Sequence, residues 1–133
     1  MVKFVPWFAE GNLPKCCFEI GVVEYGTDGI FKLELLTPNI CEIKFHAHLV
    51  FEAPLAIRIT QEGSLMEYWN SGFAVKEHGV FIATSSKFME WLAHSSSGVH
   101  SADRVRHYAV FSDDVCVEIL SSAEPVISEC FAR

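Results

Sequence analysis

Apolar and polar residues alternate without a break in phase from Cys41 to Gln61. The odd positions are Cys41, Ile43, Phe45, Ala47, Leu49, Phe51, Ala53, Leu55, Ile57 and Ile59, all apolar. The even positions include Glu42, Lys44, His46, His48, Glu52, Arg58 and Thr60. Side chains on a strand alternate between faces with a period of two, so this stretch predicts β structure. The apolar side should meet the core, and the reverse side should meet solvent or a polar cavity. Pro54 interrupts the ladder because it carries no N–H. The run also exceeds the usual strand length. It therefore reads as two strands joined by a tight corner at residues 52–54, or as one sharply bent strand.

The same rhythm, in shorter pieces, precedes this stretch. Residues 16–25 predict a strand with Phe18, Ile20 and Val22 on the core side. Gly26-Thr27-Asp28-Gly29 has the chemistry of a turn. Residues 30–36 predict a second strand, with Phe31, Leu33 and Leu35 inward. Thr37-Pro38-Asn39 leads into the long alternation, and the three segments predict an antiparallel meander. Residues 1–15 read as an irregular lead-in with a short strand at 3–7, anchored by Phe4, Trp7 and Phe8.

Downstream the runs are shorter. Residues 65–69, 73–76 and 80–83 predict brief strands between many turns. The period then changes at residues 84–95, where Phe88, Trp91, Leu92 and Ser95 share one side of a helix with Met89 beside them. Thr84, Ser85 or Ser86 can cap it. Residues 104–111 and 115–120 predict a hairpin around Ser112-Asp113-Asp114. Val105, His107, Ala109 and Phe111 fall on one side, opposite Arg106, Tyr108 and Val110. On the return strand Val117 and Ile119 face inward. Cys116, Glu118 and Leu120 face outward or toward a neighbour. A last short strand is predicted at 126–127.

The sum is an α+β fold: a mostly antiparallel, strongly curved sheet of about six to nine strands, with one helix packed on one face or end. The 133 residues contain no linker, repeat or low-complexity segment, which predicts a single domain over 1–133.

Composition narrows the function classes. Half of the residues are apolar, including eleven Phe and three Trp, enough for a core without a metal or disulfide staple. The formal net charge is −7 and no Lys/Arg cluster exists beyond Arg104 and Arg106, which disfavours nucleic acid as a partner. No apolar run is long enough to predict a membrane span. The first residues make a poor signal peptide, so a cytoplasmic location is expected. Five cysteines without C-x-x-C spacing predict reduced thiols.

Candidate chemistry is sparse. His46 and His48 share one side of the long alternation, roughly 6.6 Å apart along the strand. Two imidazoles at that spacing can ligate a metal if His107, Glu24 or Glu118 supplies a third ligand. They can equally line a ligand cavity or form an ordinary polar strand face. Arg58, Arg104 and Arg106 can clamp a carboxylate by paired hydrogen bonds, either of an acidic small molecule or of the chain's own acids. Met66, Tyr68, Trp69 and Phe73 form an aromatic patch suited to sealing a pocket or meeting a partner. Asp113 and Asp114 read as turn residues. Cys41 or Cys116 can neighbour a histidine in space, but no nucleophile elbow, phosphate loop or dinucleotide fingerprint is present, and no cofactor is implied.

Three functions follow as expectations. The first is a non-catalytic binding module, acting by protein–protein contact or by self-association as a homodimer. The second is a small-molecule binder with a cavity lined by the polar side of residues 41–60, using His46, His48, Arg58, Arg106 and Trp69. The third is a metal-dependent enzyme built on His46 and His48.

Overall fold

The structure, a computed structural model, describes residues 3–61, 78–100, 102–112 and 115–130. It contains the strands β1 (Val5–Pro6), β2 (Glu19–Tyr25), β3 (Ile30–Leu36), β4 (His46–Glu52), β5 (Ala56–Gln61), β6 (Val80–Ala83), β7 (Arg106–Phe111), β8 (Val115–Ser121) and β9 (Val126–Glu129). A single α-helix, α1 (Lys87–Ser95), stands among the described residues with two short 3-10 turns. The expected strands at 65–69 and 73–76, the aromatic patch with Trp69, and the Asp113–Asp114 turn lie outside the described residues.

One strongly curved sheet is not what forms. The strands divide into two antiparallel sheets with open edges, one in the order β1-β6-β7-β8-β5 and the other in the order β2-β3-β4-β9. The expected meander is the first part of the four-stranded sheet. The long alternation belongs to both sheets, because β4 lies in one and β5 in the other. The corner between them decides this. Ala53 takes a left-handed φ of 48°. Its N–H donates to Gly29 of the four-stranded sheet at 2.9 Å, and Leu55 N–H donates to Leu120 of the five-stranded sheet at 2.8 Å. Pro54, which has no N–H to leave unpaired, sits between those two stitches.

The two sheets pack on a shared core. Phe31, Leu33, Leu35, Leu49 and Phe51 come from one side, and Val80, Tyr108, Val110, Val117 and Ile119 from the other. Phe51 packs edge-on against Tyr108 at 5.4 Å between ring centres. Trp7, Leu13 and Phe18, all ahead of β2, close one part of this layer.

Alternation fails at three places, each for a local reason. In β2 the register slips between Ile20 and Val23. A bulge of this kind adds one residue to one strand and reverses the phase beyond it. Ile20 pairs with Leu35, but beyond the slip Val23 pairs with Leu33 and Tyr25 with Phe31, so Val22 loses its expected inward place and is exposed. Residues 41–45 are not strand. Phe45 N–H donates to Thr37 Oγ1 at 3.0 Å and Thr37 N–H to Phe45 O at 3.1 Å, which closes a loop and leaves Ile43 exposed. In α1, Phe88, Met89 and Leu92 are buried, whereas Trp91 is exposed and stacks on Phe88 at 5.7 Å.

Candidate functional site

Three clusters carry side chains with chemistry, and they lie on different surfaces. The first is buried on the side of the five-stranded sheet that faces away from the shared core. Ser86 caps α1: its Oγ accepts the Met89 N–H at 3.1 Å. Ser86 Oγ also lies 2.8 Å from His107 Nδ1, and because the Glu118 carboxylate on the other ring nitrogen can only accept, the hydroxyl donates to Nδ1. His107 then carries its proton on Nε2 and donates to Glu118 Oε1 at 2.9 Å. Arg58 closes the chain with a two-pronged grip on Glu118, from Nε at 2.8 Å and Nη2 at 3.0 Å. The guanidinium lies 4.3 Å above the Phe88 ring, and Phe4 and Phe88 meet His107 edge-on.

Adjacency explains this cluster. His107 is the register neighbour of Leu120 and Ala83, and Arg58 is paired directly with Glu118 across β5 and β8. His107 and Glu118 are wholly buried. A buried carboxylate is tolerated only with charged or hydrogen-bonded partners. Every fully buried side-chain nitrogen and oxygen among the described residues does have one. The Ser–His–Glu order resembles a nucleophilic triad only on paper. Ser86 Oγ accepts the Met89 N–H that caps α1, and Ser86, His107 and Glu118 are all buried, an arrangement that accounts for them as a satisfied polar chain.

The second cluster lies on the outer side of the four-stranded sheet. His46 and His48 project there side by side from β4 and are half-buried, while Ala47, Leu49 and Phe51 are fully buried. Their partners differ. His46 Nε2 donates to Glu34 Oε2 at 2.7 Å. His48 Nδ1 lies 3.4 Å from Cys130 Sγ. Gly21 permits the first contact, since a Cβ there would fall 2.0 Å from Glu34 Oε1. Among the described residues no group of three or more His, Cys, Asp or Glu is arranged to hold a metal ion. The thiol that meets a histidine is thus neither Cys41 nor Cys116 but Cys130. That pairing was invisible in sequence, because Cys130 N–H reaches His46 O at 2.8 Å only through the β4–β9 ladder.

The third cluster is an apolar groove of about 480 Å³ where the two sheets part. Val23, Tyr25 and Phe31 line one wall, and Leu55, Ala56, Ile57 and Ile59 the other. It lies on the inner side of the sheets, so His46 and His48 do not line it. Arg58 points away from it to Glu118, and Arg106 donates to the carbonyl of Val105 at 3.0 Å. The sequence-predicted residues His46, His48, Arg58 and Arg106 are therefore not brought to one place. One further histidine, His78, is buried away from these clusters. His78 receives Cys16 N–H at Nδ1 and donates from Nε2 to Trp7 O at 2.8 Å. Burial holds its pKa below the ordinary 6.5.

Among the described residues no helix is long and apolar enough to cross a membrane. No family model, no curated protein and no solved structure matches this chain.

Proposed function

We propose that the chain is a non-catalytic binding module whose partner is a short extended segment of another protein, taken along the edge of β2 and over the neighbouring groove. The observation that carries this reading is a set of inward-directed apolar side chains left uncovered at the mouth between the sheets. Val23 is 39 % exposed, Tyr25 58 % and Ile59 54 %. An edge strand offers unpaired N–H and C=O groups to an added strand, and pockets beside it select alternate side chains.

Charge names the kind of partner. The chain carries −7, and β2 bears Glu19 and Glu24 with no basic residue. A segment in which apolar residues alternate with lysine or arginine complements that edge. A second copy fits less well, since two chains of like charge repel. A small molecule would find little to orient it, because the lining offers no charged group. A reducing, cytoplasmic address suits the five free thiols.

Fluorescence anisotropy with two labelled heptapeptides tests the reading, one alternating valine with lysine and the other valine with glutamate. The lysine peptide should bind, weaken with salt, and lose at least about tenfold in affinity on Val23→Lys, as expected for a steric and like-charge block at a small interface. Equal binding of both peptides, or indifference to Val23→Lys, would sink it. A stable dimer by sedimentation, lost in the same variant, would put a second copy in the partner's place.

A further inference from the structure

The geometry points to a covalent modification site at the β9 edge: Cys130 and His48 form a nucleophile–base pair that directs small hydroperoxides and soft electrophiles to Cys130. His48 lies on β4 and Cys130 directly follows the end of the neighbouring strand β9, on the same side of the sheet. Ser128 is the register partner of His48, and Cys130 stands two residues beyond it. The Cys130 backbone is held by its N–H bond to His46 O at 2.8 Å, and His48 is flanked across the sheet by Glu34 on β3 and Ser128 on β9. Sγ is 3.4 Å from Nδ1, within hydrogen-bond reach for sulfur, and both residues are half-buried rather than enclosed. A nucleophile within reach of a base is the recurring arrangement for activating a thiol.

The other four thiols lack this arrangement. Cys16 and Cys116 are buried, and burial pushes the Cys16 thiol up to about 11 and Cys116 further in the same direction. Cys41 is half-buried and Cys17 is exposed, and neither has an imidazole hydrogen bond. Cys17 therefore serves as the reference for an accessible thiol without a base.

The step balances as follows. His48 Nδ1 takes the proton from Sγ, and the thiolate attacks the outer oxygen of a hydroperoxide. The S–O bond forms and the O–O bond breaks. Sulfur gives up two electrons and the peroxide gains them. The departing alkoxide recovers the proton from His48, leaving an alcohol and a sulfenic acid on Cys130. With iodoacetamide the S–C bond forms, iodide leaves, and the proton passes through His48 to water.

The test is site-resolved alkylation of the folded chain by iodoacetamide at pH 7, read by peptide mass spectrometry. Cys130 should react at least about tenfold faster than Cys17, a conservative share of what a positioned base supplies. His48→Gln, which keeps a hydrogen-bonding side chain but cannot take the proton, should bring Cys130 down to the Cys17 rate or below without changing Cys17. Unreacted Cys16 and Cys116 report that each variant is folded. Brief hydrogen peroxide followed by dimedone should label Cys130 before Cys17. A natural chain in which Cys17 reacts as fast as Cys130 overturns the proposal, and that comparison needs no variant. An unchanged Cys130 rate in His48→Gln overturns it as well.

Discussion

The two sheets handle polar side chains in opposite ways. Strands β7 and β8 of the five-stranded sheet are buried on both sides, so His107 and Glu118 sit fully enclosed beside Val110 and Val117. Strands β3 and β4 of the four-stranded sheet are buried on one side only, and Glu34, His46 and His48 remain half-open. An imidazole–carboxylate pair occurs in both places at nearly the same distance, 2.9 Å for His107–Glu118 and 2.7 Å for His46–Glu34. Depth, not distance, separates them. Water can replace either partner of the exposed pair, but nothing can replace a partner of the enclosed one.

The largest effect should come from Glu118→Ala. Removing the carboxylate leaves the buried His107 Nε2–H without its acceptor and strips Arg58 of its two-pronged contact. A loss of about 3–5 kcal/mol in unfolding free energy is expected by urea titration, the range for breaking a buried charged pair. A loss below about 1 kcal/mol would erase the distinction between the sheets.

A smaller effect should follow from acid. His78 is buried and neutral, with its folded pKa held below 6.5 by burial. Above pH 6.5 both folded and unfolded states are neutral there, and its contribution is fully present. As pH falls below 6.5 the unfolded state takes up a proton that the folded state refuses, so stability falls. The slope from this group reaches at most about 1.4 kcal/mol per pH unit. Urea midpoints between pH 7 and 5.5 should show the decline, and His78→Gln should flatten it while lowering stability at every pH. A natural chain with no slope in that window would contradict a neutral, enclosed His78.

The smallest effect belongs to the open pair. His46→Ala should cost less than about 1 kcal/mol, because both groups return to water. A cost comparable to that of Glu118→Ala would mean that the outer side of the four-stranded sheet is covered in the working assembly, and would redirect attention from the β2 edge to that side.

Alternation in the sequence settled which side of β3 and β4 meets the core, because parity along a strand is a local property of the backbone. The switch to helical spacing located α1, and Ser86 is one of three cap candidates that spacing alone left open. The bulge in β2, the loop that turns Ile43 outward and the exposure of Trp91 escaped that reading. Each depends on local hydrogen bonds, strand register or packing that the spacing of apolar residues does not record.

What the sequence by itself determined is therefore a set of strands with defined faces, one helix, and an acid-rich chain without a recognisable catalytic motif. Which strands share a sheet was decided only in three dimensions. The corner at Ala53–Leu55 hands the chain from one sheet to the other through bonds to Gly29 and Leu120, and nothing in a two-residue rhythm records which partner an edge will choose. The same holds for the candidate sites. His48 meets Cys130 across 82 positions, and Arg58 meets Glu118 across 60. Such pairs arise from strand order, and strand order is fixed by long-range burial rather than by local pattern.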